Sequence, residues 1–102
     1  MDEEAKLSEE SARGAKARAI LESGIYKEAV DFVEADIIDR WRNSPLRDTE
    51  GQTMLRLKLN ALAEVVAALK DVMETGRLAT QTLQEKQSLA ERAKAAVSRI
   101  RR

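Results

Sequence analysis

Between residues 55 and 73 apolar side chains recur at Leu55, Leu59, Leu62, Val66, Leu69 and Met73, spaced four, three, four, three and four apart. That alternation is the 3.5-residue repeat of a helix whose apolar seam stays turned toward a packing partner. It predicts a helix from about Thr49 to Thr75, roughly 40 Å long at 1.5 Å per residue, with Val65 and Val72 adding a second apolar edge. Upstream, Tyr26, Val30, Val33, Ile37 and Trp41 are spaced four, three, four and four apart, and Ile25, Ala29, Phe32 and Ile38 widen the stripe. This is a second amphipathic helix. It should end near Arg42 or Asn43, because Ser44 precedes Pro45 and is pushed out of the α region. All three aromatic residues, Tyr26, Phe32 and Trp41, lie in this helix, which is therefore expected to supply the largest side chains of the core.

Gly24, Pro45 and Gly76 punctuate the chain and divide it into four helical stretches. Residues 2–22 place acids first (Asp2, Glu3, Glu4, Glu9, Glu10) and bases later (Arg13, Lys16, Arg18), the order a helix macrodipole favours. The apolar content of this stretch is mostly alanine and Gly14 interrupts it, so it reads as a helical arm that needs a partner surface. Gly76 fits the residue just past a helix end. In the turn at 44–50, Ser44 with Pro45 or Thr49 with Gln52 can cap the following helix. The stretch at 77–102 carries Leu78, Leu83, Leu89, Val97 and Ile100 among alanines and glutamines. The expected fold is all-α: a single domain over 1–102, with a long antiparallel helical hairpin at 25–76, a helical arm at 2–22, a basic helix at 77–102, and coiled-coil-like packing.

Composition narrows the chemistry. The 102 residues include no cysteine and no histidine. That removes disulfides, thiolate nucleophiles, Cys/His zinc sites, Ser-His-Asp triads and imidazole acid–base catalysis. Eighteen Lys and Arg balance eighteen Asp and Glu, so bulk charge gives no argument for a nucleic-acid or membrane binder. The start, Met1-Asp2-Glu3-Glu4, is acidic where a signal peptide is basic, and no apolar run is long enough to span a bilayer. The expectation is a soluble, non-enzymatic intracellular protein with no cofactor, no metal, no small-molecule substrate and no membrane contact.

Four carboxylates, Asp31, Glu34, Asp36 and Asp39, share one helix with Lys27, Arg40 and Arg42 and read as a solvated charged face rather than a metal site. The expected protein interface comprises Phe32, Trp41, Arg47, Leu55, Leu59, Leu62, Val65, Val66, Leu69, Val72 and Met73. Its centre is Trp41 with Arg47, residue types that dominate interface hot spots. The competing reading of that corner has Trp41 closing the hairpin core, with Asp48 capping the next helix and pairing with Arg47 or Arg42. A two-helix hairpin buries too little surface to stand alone, which predicts a homo-oligomer. Residues 77–102 hold seven basic against two acidic side chains. There Arg92, Lys94, Arg99, Arg101 and Arg102 are the candidates for phosphate contacts, although the helix C-terminal dipole also favours them.

The run Trp41-Arg42-Asn43-Ser44-Pro45-Leu46-Arg47-Asp48, preceded by Lys27-Glu28-Ala29-Val30 and followed by the leucine repeat and Glu74-Thr75-Gly76-Arg77-Leu78-Ala79, resembles small helical proteins of tailed-bacteriophage genomes. The resemblance covers residues 25–79. It implies a virion or morphogenesis component, located in the virion or the host cytoplasm, that docks on a larger virion protein. It transfers no catalytic residue. Two alternatives stand beside this reading: a nucleic-acid-binding accessory protein using the basic helix, and a small phage inhibitor of a host defence protein.

Overall fold

The computed structural model describes residues 2–100 and contains three α-helices: α1 (Asp2–Glu22), α2 (Gly24–Arg42) and α3 (Thr49–Ile100). No strand occurs among the described residues. The all-α expectation is met with one helix fewer than the glycines suggested. Residues 49–100 form a single 52-residue helix, so the helix end expected at Gly76 and the separate helix expected over 77–102 are both corrected. The physical reason is that no glycine among the described residues has a positive φ, the conformation a glycine stop requires. Gly76 is instead a buried position inside α3.

α1 and α2 are separated by one residue. Ser23 is extended (φ −64°, ψ 126°) and its Oγ accepts from the Tyr26 backbone N–H at 3.5 Å, the outer limit of a cap bond. At the other end of α2, Asn43 caps: its N–H and its Nδ2 both donate to the Asp39 carbonyl, at 3.1 and 2.9 Å. The cap of α3 is Asp48, whose Oδ1 accepts from the Gly51 N–H at 3.0 Å. Ser44 and the Thr49–Gln52 box do not play that part. Ser44 Oγ donates to the Trp41 carbonyl at 2.6 Å, and Gln52 Nε2 donates to Ser44 Oγ and the Pro45 carbonyl at 3.2 and 3.1 Å. The first turn of α3 therefore reaches back and pins the connection after Trp41.

The residues fall into two compact units, one made of α1 through Lys16 with α3 from Val72 onward, the other of Ala17–Asp71. In the first unit α1 lies against α3. Contacts run Glu3 with Lys86 (3.4 Å), Ser11 with Thr80 (2.6 Å) and Gly14 with Gly76. Thr80 Oγ1 donates to the Gly76 carbonyl at 2.9 Å, so its proton is spoken for and Ser11 is the donor of the Ser11–Thr80 bond. At Gly14 and Gly76 the two backbones touch: a Cβ on either glycine would lie 2.5 Å from the α-carbon of the other. Gly14 does not break α1; it lets α1 approach this closely.

In the second unit Ile37 is buried, and Tyr26 and Val30 on α2 are partly buried, as are Leu55, Leu59, Leu62, Val66 and Leu69 on α3. The heptad positions thus face inward. The aromatic expectation is overturned in part: Phe32 is 72% exposed and Trp41 55% exposed, so neither closes a core. The stripe on α2 is wider than one neighbouring helix covers, and the residues on its flank, Ile25, Ala29 and Phe32, are left outside.

Candidate functional site

Apolar surface lies open in two places on α2 and α3. The first such surface is a groove of about 490 Å³ lined by Ile37, Ile38, Trp41 and Arg42 from α2 and Leu55, Arg56 and Leu59 from α3. The α2 residues are one turn apart at 37/38 and 41/42, and the α3 residues at 55/56 and 59, so each helix gives one ridge with an arginine at its edge. The Asn43 and Asp48 caps and the Gln52 bonds fix the connection next to Trp41 and hold this end of the groove in shape. Its floor is apolar and its rim carries guanidinium groups.

The second surface lies beside the inner stripe. On α2 it consists of Ile25 (75% exposed), Ala29 and Phe32 (72%); on α3 of Met54, Leu57, Ala61, Val65 and Ala68, with Met54, Leu57 and Val65 between 56% and 57% exposed. At 100° per residue each set trails the inner stripe of its own helix by about 110–120°.

Of the residues expected at a protein interface, Phe32, Trp41, Arg47 and Val65 are exposed. Leu55, Leu59, Leu62, Val66 and Leu69 are partly buried within the Ala17–Asp71 unit, and Val72 and Met73 are partly buried in the other. Ile25, Met54 and Leu57 were missed. The signal for Met54, Leu57, Ala61 and Val65 was present as a second run of apolar residues at three- and four-residue spacing, with Met54, Ala61 and Val65 one position before Leu55, Leu62 and Val66 of the dominant repeat and Leu57 two before Leu59. Asp48 caps α3, as the structural reading of the corner proposed; its pairing with Arg47 or Arg42 is not among the salt bridges of the described residues.

The basic candidates Arg92, Lys94 and Arg99 are exposed, as is every residue of 87–100; Arg101 and Arg102 lie outside the described residues. Apart from Glu3 with Lys86, the salt bridges among the described residues are local helix pairs. Asp36 pairs with Arg40 at 3.1 Å. The Arg77 guanidinium donates to both oxygens of Glu74, which holds that carboxyl below the ordinary glutamate range and raises Arg77 in turn. Glu22 raises Arg18 in the same way, by hydrogen bond first and charge second. Among the described residues no group of three or more acidic side chains is placed to hold a metal ion, and no helix is long and apolar enough to cross a membrane. Comparison with protein-family models, curated proteins and solved structures returns no match.

Proposed function

We propose that this chain is a non-enzymatic bacteriophage virion or assembly protein that works by helix–helix association, either with further copies or by docking on a larger virion protein. In this reading α2 and the first half of α3 form an antiparallel hairpin, which the short connection at 43–48 favours. The observation that carries the reading is a deficit of core. Hydrophobic residues make up 43% of the chain. Among the described residues, though, only Ala17, Ile37 and Ala79 are buried hydrophobics, while thirteen large apolar side chains are exposed. A domain of this size needs more burial than that to be robust, and association supplies it. The bacteriophage setting rests on the resemblance around Trp41-Arg42-Asn43-Ser44-Pro45-Leu46-Arg47-Asp48, and the virion or host cytoplasm is the corresponding location. The test is to follow the full-length chain by mass spectrometry through purification of assembly intermediates and particles. A fixed ratio to a major particle protein is expected; confinement to the fraction free of particles and intermediates would refute the role.

One observation favours a second reading. Residues 87–100 are all exposed and present Arg92, Lys94 and Arg99, as a helix gripping nucleic-acid phosphates would. That reading requires affinity that falls steeply with salt.

A further inference from the structure

The seam on which α1 lies does not stop where α1 stops. Val72, Gly76, Ala79, Leu83 and Lys86, spaced four, three, four and three apart, are all buried or partly buried. Contacts from Gly14–Gly76 through Ser11–Thr80 to Glu3–Lys86 show α1 running antiparallel beside them. The same alternation continues without a break through Ala90, Ala93, Val97 and Ile100. All four are exposed, as is every described residue from Gln87 onward. At 1.5 Å per residue the uncovered seam runs roughly 20 Å past Lys86.

Leu89 and Ala96 widen this stripe to six residues, in which Leu89 is 62%, Val97 49% and Ile100 83% exposed. Its borders are basic. At 100° per residue, Arg92 and Arg99 fall about 100–120° to one side of its centre and Lys94 about 100° to the other. Glu91, the only acid in 87–100, falls on the opposite face. None of the three bases is in a salt bridge among the described residues.

We infer that residues 89–100 dock an acidic helix of a partner protein, whose apolar side chains lie on the stripe and whose carboxylates meet the bases on both borders. The inference rests on the proposed association role and names the chemistry of its partner. Continuity supports a helix, because α1 already packs on this seam and brings Glu3 within 3.4 Å of Lys86. Arg92 and Lys94 follow within about two turns and call for the same acidic complement. Three of the six stripe residues are alanine, which gives little area to bury on a flat or lipid surface but leaves room for the side chains of a facing helix. A nucleic-acid backbone would use the bases and leave the stripe between them unpaired. Two copies of this stretch would set like charges together, so it does not pair with itself.

The experiment is a fluorescence-anisotropy titration of two labelled helical peptides with the full chain. Both carry leucine in a heptad seam; one has glutamate along both flanks, the other lysine. The glutamate peptide should bind and the lysine peptide should not. Leu89→Gln with Ile100→Gln should weaken binding at least about tenfold, with helicity unchanged because both sites are exposed. Phe32→Gln, on α2, should leave binding as it was. Arg92→Glu, Lys94→Glu and Arg99→Glu together should exchange the preference between the peptides, a swap that a folding defect cannot mimic. A glutamate peptide bound no better than the lysine peptide, or bound equally after Leu89→Gln with Ile100→Gln, would overturn the acidic helix as partner. Duplex DNA bound in its place, indifferent to those two substitutions, would overturn it in favour of phosphate contacts. A chain that joins particles yet does not bind the glutamate peptide would refute this partner and leave the association role standing.

Discussion

Replacing Gly76 by alanine sets two physical effects against each other, and their sum has a definite sign. Gly76 lies inside α3, where alanine is intrinsically favoured by roughly 1 kcal/mol. The added Cβ would lie 2.5 Å from the Gly14 α-carbon, 2.8 Å from the Glu10 carbonyl oxygen and 3.0 Å from the Gly14 nitrogen. Carbon atoms rest about 3.5–4.0 Å apart, and all three obstacles are backbone, which cannot swing aside as a side chain does. α1 must retreat by roughly 1 Å. That overpacking costs about 1–3 kcal/mol. It also stretches the Ser11–Thr80 bond from 2.6 Å past hydrogen-bonding range, a loss of about 1 kcal/mol.

The net expectation for Gly76→Ala is destabilisation by about 1–3 kcal/mol, concentrated in α1. Gly14→Ala should do the same, because its Cβ meets the Gly76 α-carbon at 2.5 Å and the Gly76 nitrogen and Val72 carbonyl oxygen at 3.2 Å. The double variant should cost less than the sum, since α1 is already displaced when the second methyl arrives. Gly24→Ala is the control: nothing lies within 4 Å of its Cβ, and a gain of about 0.4–1 kcal/mol is expected. Thermal unfolding with amide hydrogen exchange across α1 reads all four. A Gly76→Ala protein that is stabilised, with exchange in α1 unchanged, would show that the two helices do not touch there.

The Tyr26 hydroxyl oxygen is buried and has no hydrogen-bond partner among the described residues, so Tyr26→Phe should stabilise by about 1 kcal/mol and raise Tm by roughly 4–8 °C; a lower Tm would mean the hydroxyl is satisfied. Asp48→Ala removes the α3 cap and should cost about 1 kcal/mol in chemical denaturation, whereas Asp48→Asn should keep most of it; equal losses would refute the capping role. Glu74 is held below the ordinary carboxylate range by Arg77, so its contribution is present at neutral pH and disappears only as pH falls through that lowered value. An NMR titration of the Glu74 carboxyl should therefore show an acid-shifted midpoint that Arg77→Gln abolishes, and a midpoint at or above the ordinary glutamate value would contradict the pairing.

The contrast between Leu62 and Gly76 explains which parts of this molecule were legible in its sequence. Leu62 is large and apolar at a heptad position, and such a residue has one economical place, against a neighbouring helix; it is partly buried there. Gly76 is ambiguous by itself, since the same residue ends helices and admits close helix contact. Extending the repeat resolves the ambiguity. From Met73 the alternation of three and four continues to Gly76, Thr80 and Leu83, all buried or partly buried, so the glycine holds a seam position and its missing side chain is the space α1 fills. Phe32 fails for a different reason. Periodicity reports which residues share a stripe but not how much of that stripe a neighbour covers, and coverage depends on how many helices are present. The stripe on α2 is wider than the surface its neighbour within the Ala17–Asp71 unit covers, so Ile25, Ala29 and Phe32 on its flank stay exposed although the periodicity places them beside the buried Ile37.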